Sequence, residues 1–282
     1  MDYQHIEVAP LTGALGAELR GVDLAHPLTG EVLTEIRDAF LQHIVIVFRE
    51  QMLTPAQQLR FGRYFGQIHR HPYIAGLPDT PDVIEIRREP EDRHCFGKLW
   101  HTDQIFVENP AIATVLYAKE VPRAGGDTIF ANMYLAYEGL SPGMQEMLAF
   151  VRTHNVGDGF KQLGGKSRAE RYQGKSSMRL DETRRGPVEA QHPLVRVHPE
   201  TGRKGLYFSF HTQRFVDMTE AESQPILRYL SQHATRPQYT CRVTWQVGTL
   251  VMWDNRCAQH IAVDDYFGER RVMHRLTIKD SP

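Results

Sequence analysis

Cysteine is scarce in this chain. Cys95, Cys241 and Cys257 are the three present, widely spaced and without a C-x-x-C pair. That excludes a disulfide framework and a zinc ribbon, and points to reduced thiols in a cytoplasmic protein. Long apolar runs are missing too: none approaches the ~18 residues a membrane helix requires. The opening residues, Met1 to His5, have neither the basic start nor the apolar stretch of a signal peptide. Neither sign of charge prevails, since 33 basic and 34 acidic residues leave a formal net charge of −1. Nucleic acid and membrane surfaces are therefore not expected partners. Repeats, low-complexity tracts and a second domain boundary are also absent. The 282 residues are read as one domain, residues 1–282, long enough to bury a core without a structural metal.

What is present is rich in β signals. Short β-branched or alternating runs recur at 6–8, 44–48, 83–86, 111–118, 129–130, 194–198, 205–210, 239–245, 249–253 and 272–278. Four helices fall between them. One starts near Thr29, with Val32, Leu33, Ile36, Ala39 and Phe40 at helical spacing. Another starts at Thr54, followed by Pro55 and then Gln57 three residues after the cap. The others open at Ser141-Pro142 and at Thr219. Roughly eight to eleven strands without βαβ alternation predict a mostly β fold with flanking helices, an antiparallel double-sheet jelly roll. Residues 157–189 carry many glycines and charges and few aliphatics, and are read as a loop insertion acting as a lid.

Chemistry concentrates in two distant segments. The H-x-D/E pattern occurs three times among 14 histidines: His5-Ile6-Glu7, His101-Thr102-Asp103 and His198-Pro199-Glu200. The middle copy sits in a strand-like context, where residues two apart share a face and His101 and Asp103 point together into a jelly-roll interior. Polar groups aimed there need a partner or a metal. Two histidines and one carboxylate form a facial triad for iron(II) that leaves positions open, and His260 is the candidate third ligand. Arg271 and Arg275 follow it by eleven and fifteen residues. Both lie with Met273 on one face of the last predicted strand, opposite Val272 and Leu276. Two inward guanidinium groups demand anions, and each binds a carboxylate bidentately. A zinc hydrolase on the same three ligands also fits, but leaves the arginine pair unused. A non-catalytic cupin-like metal-binding protein is the other reading.

These segments resemble the taurine dioxygenase family of Fe(II)/2-oxoglutarate-dependent oxygenases, which also holds the aryloxyalkanoate dioxygenases. The resemblance runs in order through Pro10 to Ala17, Gly21 to Leu24, Trp100-His101-Thr102-Asp103, Gly125-Gly126-Asp127-Thr128, Trp253-Asp254-Asn255-Arg256 with His260, and Arg270 to Arg275. It implies a double-stranded β-helix, with His101, Asp103 and His260 as the catalytic iron ligands. Thr128 and Arg271 would hold the distal carboxylate of 2-oxoglutarate. Arg275 would meet the anionic end of the prime substrate, with His71, Tyr73 and Phe210 beside it. Dioxygen is the co-reactant, ascorbate a supporting reductant, and a homo-oligomer (dimer or tetramer) the family's habit. Asp103 argues for hydroxylation, because halogenating relatives lack that carboxylate. Taurine-type members carry an asparagine shortly before the H-x-D pair, whereas His94 to Lys98 contains none. The substrate expected is a small organic anion, an alkylsulfonate such as taurine or a sulfate ester, ahead of an aryloxyalkanoate.

Overall fold

The computed structural model of the chain describes residues 3–71, 74–157, 170, 175–177 and 188–280. Strands β1 (Glu7–Pro10) and β2 (Ala17–Arg20) form the opening hairpin. Helix α1 (Gly30–His43) starts where Thr29 accepts from the Val32 amide, and its buried stripe is Ile36, Ala39 and Phe40. β3 (Val45–Phe48) is buried at every position. α2 (Pro55–Arg63) has a complete capping box: Gln57 N donates to Thr54 Oγ1 at 3.3 Å, and Thr54 N donates to Gln57 Oε1 at 2.8 Å. Two orphan amides are satisfied reciprocally, so the sequence signal translates directly into a helix start.

Next come β4 (Gln67–Ile68), β5 (Ile84–Arg88), β6 (Ala113–Glu120) and β7 (Thr128–Asn132). α3 (Met133–Glu138) and α4 (Pro142–Leu148) follow, then β8 (Arg152–Val156), β9 (Glu189–Pro193), β10 (Val195–Val197), β11 (Lys204–Leu206) and β12 (Thr212–Phe215). α5 (Glu220–Ala234) opens with a second capping box, Thr219 with Glu222. The chain finishes through β13 (Thr240–Val243), β14 (Leu250–Asp254), β15 (Ala258–Ala262) and β16 (Arg271–Lys279).

The large sheet has the order β1-β2-β3-β14-β6-β16-β4, with β5 sharing the outer edge of β16. A small sheet, β13-β7-β15, faces it. Between the two lies one core, in which Val251, Trp253 and Met273 meet Phe130, Cys241 and Ala258. On the other face of the large sheet, Ile46, Phe48, Val115 and Leu276 pack against Phe40 of α1 and Phe61 of α2. β16 therefore alternates: Arg271, Met273 and Arg275 face the inter-sheet core, while Leu276 and Ile278 face the helices. This is the mostly β jelly roll with flanking helices that the pattern predicted. No helix of the described residues is long and apolar enough to cross a membrane.

Two expectations need correction. The H-x-D segment is not a strand. His101 makes only an isolated bridge to His260, and a turn begins at Asp103, with Gln104 at φ 55°. Short strands at 67–68, 152–156 and 212–215 went unread, because two to five residues on half-polar segments carry little periodic signal. The lid expected at 157–189 lies mostly outside the described residues. Its flanks, β8 and β9, pair antiparallel from Arg152↔Pro193 to Val156↔Glu189.

Candidate active site

Two backbone hydrogen bonds bring the histidines together. His101 N donates to His260 O at 3.0 Å, and His260 N donates to His101 O at 2.8 Å. Thr102 Oγ1 adds a bond to Ala258 O at 2.6 Å. A segment outside the sheet is thus held in register against β15. The imidazole centroids end 4.1 Å apart. Leu99 O accepts from His101 Nδ1 at 2.7 Å, which fixes the tautomer with the proton on Nδ1 and the lone pair on Nε2. The His260 ring is walled by Trp253 and Phe130, at 4.6 and 5.8 Å between centroids, and its Nδ1 is buried without a hydrogen bond. Burial first, and His101 second, push the His260 ring well below its ordinary pKa, so it is a neutral donor.

Asp103 completes the cluster. Its Oδ2 accepts from Thr114 Oγ1 at 2.6 Å, Thr114 accepts from Asn255 Nδ2 at 2.9 Å, and Asn255 Oδ1 accepts from Trp253 Nε1 at 2.9 Å. Its Oδ1 lies 3.6 Å from His101 Nε2 and 2.7 Å from Arg275 Nη2. Burial alone would raise the Asp103 carboxyl. Arg275, the two histidines and Thr114 outweigh it and hold the group far below the usual carboxylate range. One donor atom from each of His101, Asp103 and His260 can be chosen so that all lie within 4.8 Å of one another. Two imidazoles and one carboxylate, all buried, with His101 and Asp103 oriented by second hydrogen bonds and His260 by its ring walls, suit a divalent transition metal.

The arginines sit beside this cluster. His101, His260, Thr128, Arg271 and Arg275 line one cavity of about 40 Å³. Arg271 is 6% exposed and forms no ion pair among the described residues, and its Nε lacks a hydrogen-bond partner. Its guanidinium lies over the rings of Trp245 and Tyr266, at 5.7 and 5.9 Å. Burial lowers its pKa by more than Tyr266, Cys95 and Asp127 raise it. Thr128 Oγ1 accepts from Trp245 Nε1 at 3.0 Å, so its own proton is available to an anion in the cavity. Gly97 runs beside the His101 ring at φ 82°, a left-handed conformation that favours glycine, although a β-carbon there would only touch Cε1 at 3.4 Å.

The other expected residues are distributed less tightly. Phe210 is 5.9 Å from the His101 ring, edge-on, and its amide donates to Trp100 O at 3.2 Å. His71 is buried but does not line the cavity. Tyr73 lies outside the described residues. Trp245, Thr114 and Asn255 were not anticipated as positioning residues. Asn255 stood inside a quoted motif, whereas nothing local marks Thr114 or Trp245. Gln104, next to Asp103, is 2% exposed with neither end of its amide hydrogen-bonded among the described residues.

The Asp254 half of the Trp253-to-Arg256 stretch turns away from the site. Asp254 takes Arg256 on both oxygens, at 2.9 Å to Nε and 2.6 Å to Nη2. His198 and Cys257 complete a second potential cation cluster there. His198 Nδ1 accepts from the Glu200 and Thr201 amides at 3.2 Å, so Nε2 carries the proton and donates to Asp254 at 3.1 Å. With both nitrogens engaged and a guanidinium on the carboxylate, this is a structural network, not a metal site.

A jelly roll with a buried two-histidine, one-carboxylate cluster and, in the same cavity, an arginine without an ion pair among the described residues defines a 2-oxoglutarate-dependent oxygenase of the non-haem iron class. The family model "Taurine catabolism dioxygenase TauD, TfdA family" matches residues 7–277. The chain belongs to that family, whose members use iron(II), 2-oxoglutarate and dioxygen. It is 34% identical to an alkylsulfatase of Acinetobacter baylyi, over 98% of this chain and 85% of that one. It is 32% identical to an alpha-ketoglutarate-dependent sulfate ester dioxygenase of Pseudomonas putida, over 97% and 89%. The crystal structure of a taurine dioxygenase from Burkholderia xenovorans superposes with a TM-score of 0.81 at 33% identity, covering 99% of this chain and 92% of that one.

Proposed function

We propose that this chain hydroxylates the carbon bearing the oxyanion group of a small alkyl sulfate ester or alkylsulfonate, sulfate esters first, coupled to conversion of 2-oxoglutarate to succinate and carbon dioxide. The observation that carries the reading is Arg271: a buried guanidinium with no carboxylate partner among the described residues, in the same cavity as three metal-capable donors. A dicarboxylate that reaches both satisfies both. The similarity to an alkylsulfatase and a sulfate ester dioxygenase supports the choice of ester. The missing asparagine before the H-x-D pair argues against taurine itself.

In this reading His101, Asp103 and His260 hold iron(II), which supplies the oxidative decarboxylation and the C–H hydroxylation. Leu99 O and the Trp253–Asn255–Thr114 chain keep His101 and Asp103 aimed. Thr128 donates to the distal carboxylate of 2-oxoglutarate and Arg271 pairs with it, which fixes the co-substrate's direction in the cavity. Arg275 meets the substrate's anionic head, and Phe210 walls the site beside His101. Trp253 and Phe130 exclude water from the His260 side. Hydroxylation next to an ester oxygen gives a hemiacetal sulfate, whose C–O bond breaks to release an aldehyde and hydrogen sulfate. On a sulfonate carbon the C–S bond breaks instead, releasing sulfite. The reading takes residues 1–282 as one catalytic unit. It keeps 157–189 as a lid, supported by Ser177 bonded to Asp92 at 3.0 Å and by Lys175 O accepting from the Arg93 and His94 amides, just ahead of the His101 segment.

The test is succinate formation with iron(II), ascorbate and air, with hexyl sulfate, taurine or a phenoxy acid added. Hexyl-sulfate-dependent succinate with stoichiometric sulfate is expected, and Asp103→Ala should abolish it while leaving the circular dichroism spectrum unchanged. Succinate stimulated only by the phenoxy acid would move the substrate class. No succinate from protein shown to bind iron would overturn the reading.

A further inference from the structure

Arg275 is doubly engaged. Asp103 carries one negative charge, and its Oδ1 faces both His101 Nε2, at 3.6 Å, and Arg275 Nη2, at 2.7 Å. Its Oδ2 is already committed to Thr114. Oδ1 is the carboxylate oxygen on the His101 side, so it is the one a cation held by the cluster would draw on, and it is the oxygen that Arg275 contacts. The contact itself is close but badly aimed, since Nη2 at 2.7 Å from Oδ1 makes no properly directed hydrogen bond. Arg275 Nε also lacks a hydrogen-bond partner among the described residues, in a side chain only 4% exposed. A guanidinium with five donors in a rigid fork is thus held by charge while donors remain open. Both facts describe a group held by charge pairing alone, so an ion that takes over the Asp103 charge frees it without breaking a well-formed hydrogen bond.

We propose that Arg275 is a charge latch between Asp103 and the anionic head of the substrate: Asp103 restrains the guanidinium, and a metal ion that takes the Asp103 charge releases it to bind the anion. The inference rests on the reading of the site given above and adds a regulation to it. Metal and anion then bind cooperatively, and by linkage each raises the other's affinity by the same factor. The latch also keeps the anion subsite weak in protein that has no metal to use, so substrate is not sequestered by an incompetent site.

Affinity for hexyl sulfate, measured calorimetrically with saturating 2-oxoglutarate, tests this without turnover. The forms compared are wild type stripped of metal, wild type loaded with manganese(II), stripped Asp103→Asn, and stripped Asp103→Asn/Arg275→Gln. Asp103→Asn removes the restraint, so it is expected to bind at least tenfold tighter than stripped wild type and to approach the manganese-loaded affinity. Adding Arg275→Gln should return binding to the weak level. The double variant buries no uncompensated charge from this pair, so it folds more readily than Arg275→Gln alone. Two outcomes overturn the latch: Asp103→Asn binding no tighter than wild type, or the double variant binding as tightly as Asp103→Asn. Failure of hexyl sulfate to bind any form overturns it together with the substrate class. A separate manganese titration distinguishes the failures, since a chain that binds no metal loses the site reading itself.

Discussion

At the scale of single residues, Arg271 carries two opposed consequences. Its buried charge forms no ion pair among the described residues; the rings of Trp245 and Tyr266 lie beside it and Asp127 acts on it only at longer range. Arg271→Met should therefore raise the stability of the metal-free protein by about 1–4 kcal/mol, as replacing a poorly compensated buried charge with an apolar chain often does. The same change should weaken 2-oxoglutarate binding by about 2–5 kcal/mol, because it removes one partner of a desolvated pair. Urea unfolding and calorimetry measure the two, and lower stability in the variant would show that the guanidinium is satisfied without a ligand. Much of this was legible in the sequence. Spacing put Arg271 and Arg275 on one face, the H-x-D pattern offered His101 and Asp103, and the family resemblance implied His260 as the third donor. The Asp103–Arg275 contact was not legible. Strand periodicity says that a charge points inward but not which anion it meets, and that is decided by side chains 172 residues apart. The counter-charge assigned to substrate alone is in the structure already shared with a carboxylate of the chain.

At the scale of elements, helix starts were read well because their chemistry is local. Thr54, Pro55 and Gln57 form the predicted box, and Thr54→Ala should lower stability by about 1 kcal/mol in urea unfolding without moving metal affinity. An unchanged midpoint would mean the box adds nothing to a helix already held by Phe61 and Phe65. Gly62, an unfavourable residue inside that helix, has a reason no local rule supplies. A β-carbon there would come within 2.9 Å of Ile68 Cδ1 and 3.3 Å of Leu276 Cδ1, so the glycine lets α2 lie close on β16. The H-x-D segment fails as a strand for a related reason. Its geometry is imposed by a reciprocal pair of hydrogen bonds to His260, not by its own alternation. Period-two reasoning reached the correct convergence of His101 and Asp103 through the wrong element.

At the scale of the molecule, the Asp254 network ties three parts of the chain together. Arg256 bridges Asp254 to Glu200 at 2.7 Å, and Glu200 reaches Arg37 of α1 at 3.0 Å. Burial pushes the Asp254 carboxyl up, but His198 and Arg256 outweigh it and hold the group at about 2. The folded state thus binds this proton less readily than the unfolded chain, whose aspartate titrates near ~3.9. The stability it contributes is complete above about pH 4 and is lost as pH falls through about 2. Asp254→Asn should cost about 3 kcal/mol at neutral pH, because it strands much of a buried guanidinium, and should flatten the acid limb of the stability profile. A variant whose acid unfolding matched wild type would remove Asp254 from that role. The jelly roll itself was legible from strand density and the lack of βαβ alternation, but this network was not, since the motif holding Asp254 and Arg256 reads as part of the catalytic stretch.

The bridge between His101 and His260 joins residues 159 positions apart. A ribosome makes the first two donors long before the third, and domains acquire structure from the N-terminal side during synthesis. The growing polypeptide therefore presents His101 and Asp103 with no second imidazole and neither arginine. Where His101, Asp103 and His260 hold the metal, the complete donor set exists only after β15 has been made. An unfinished polypeptide is spared the hazard of activating oxygen with no substrate cavity around it.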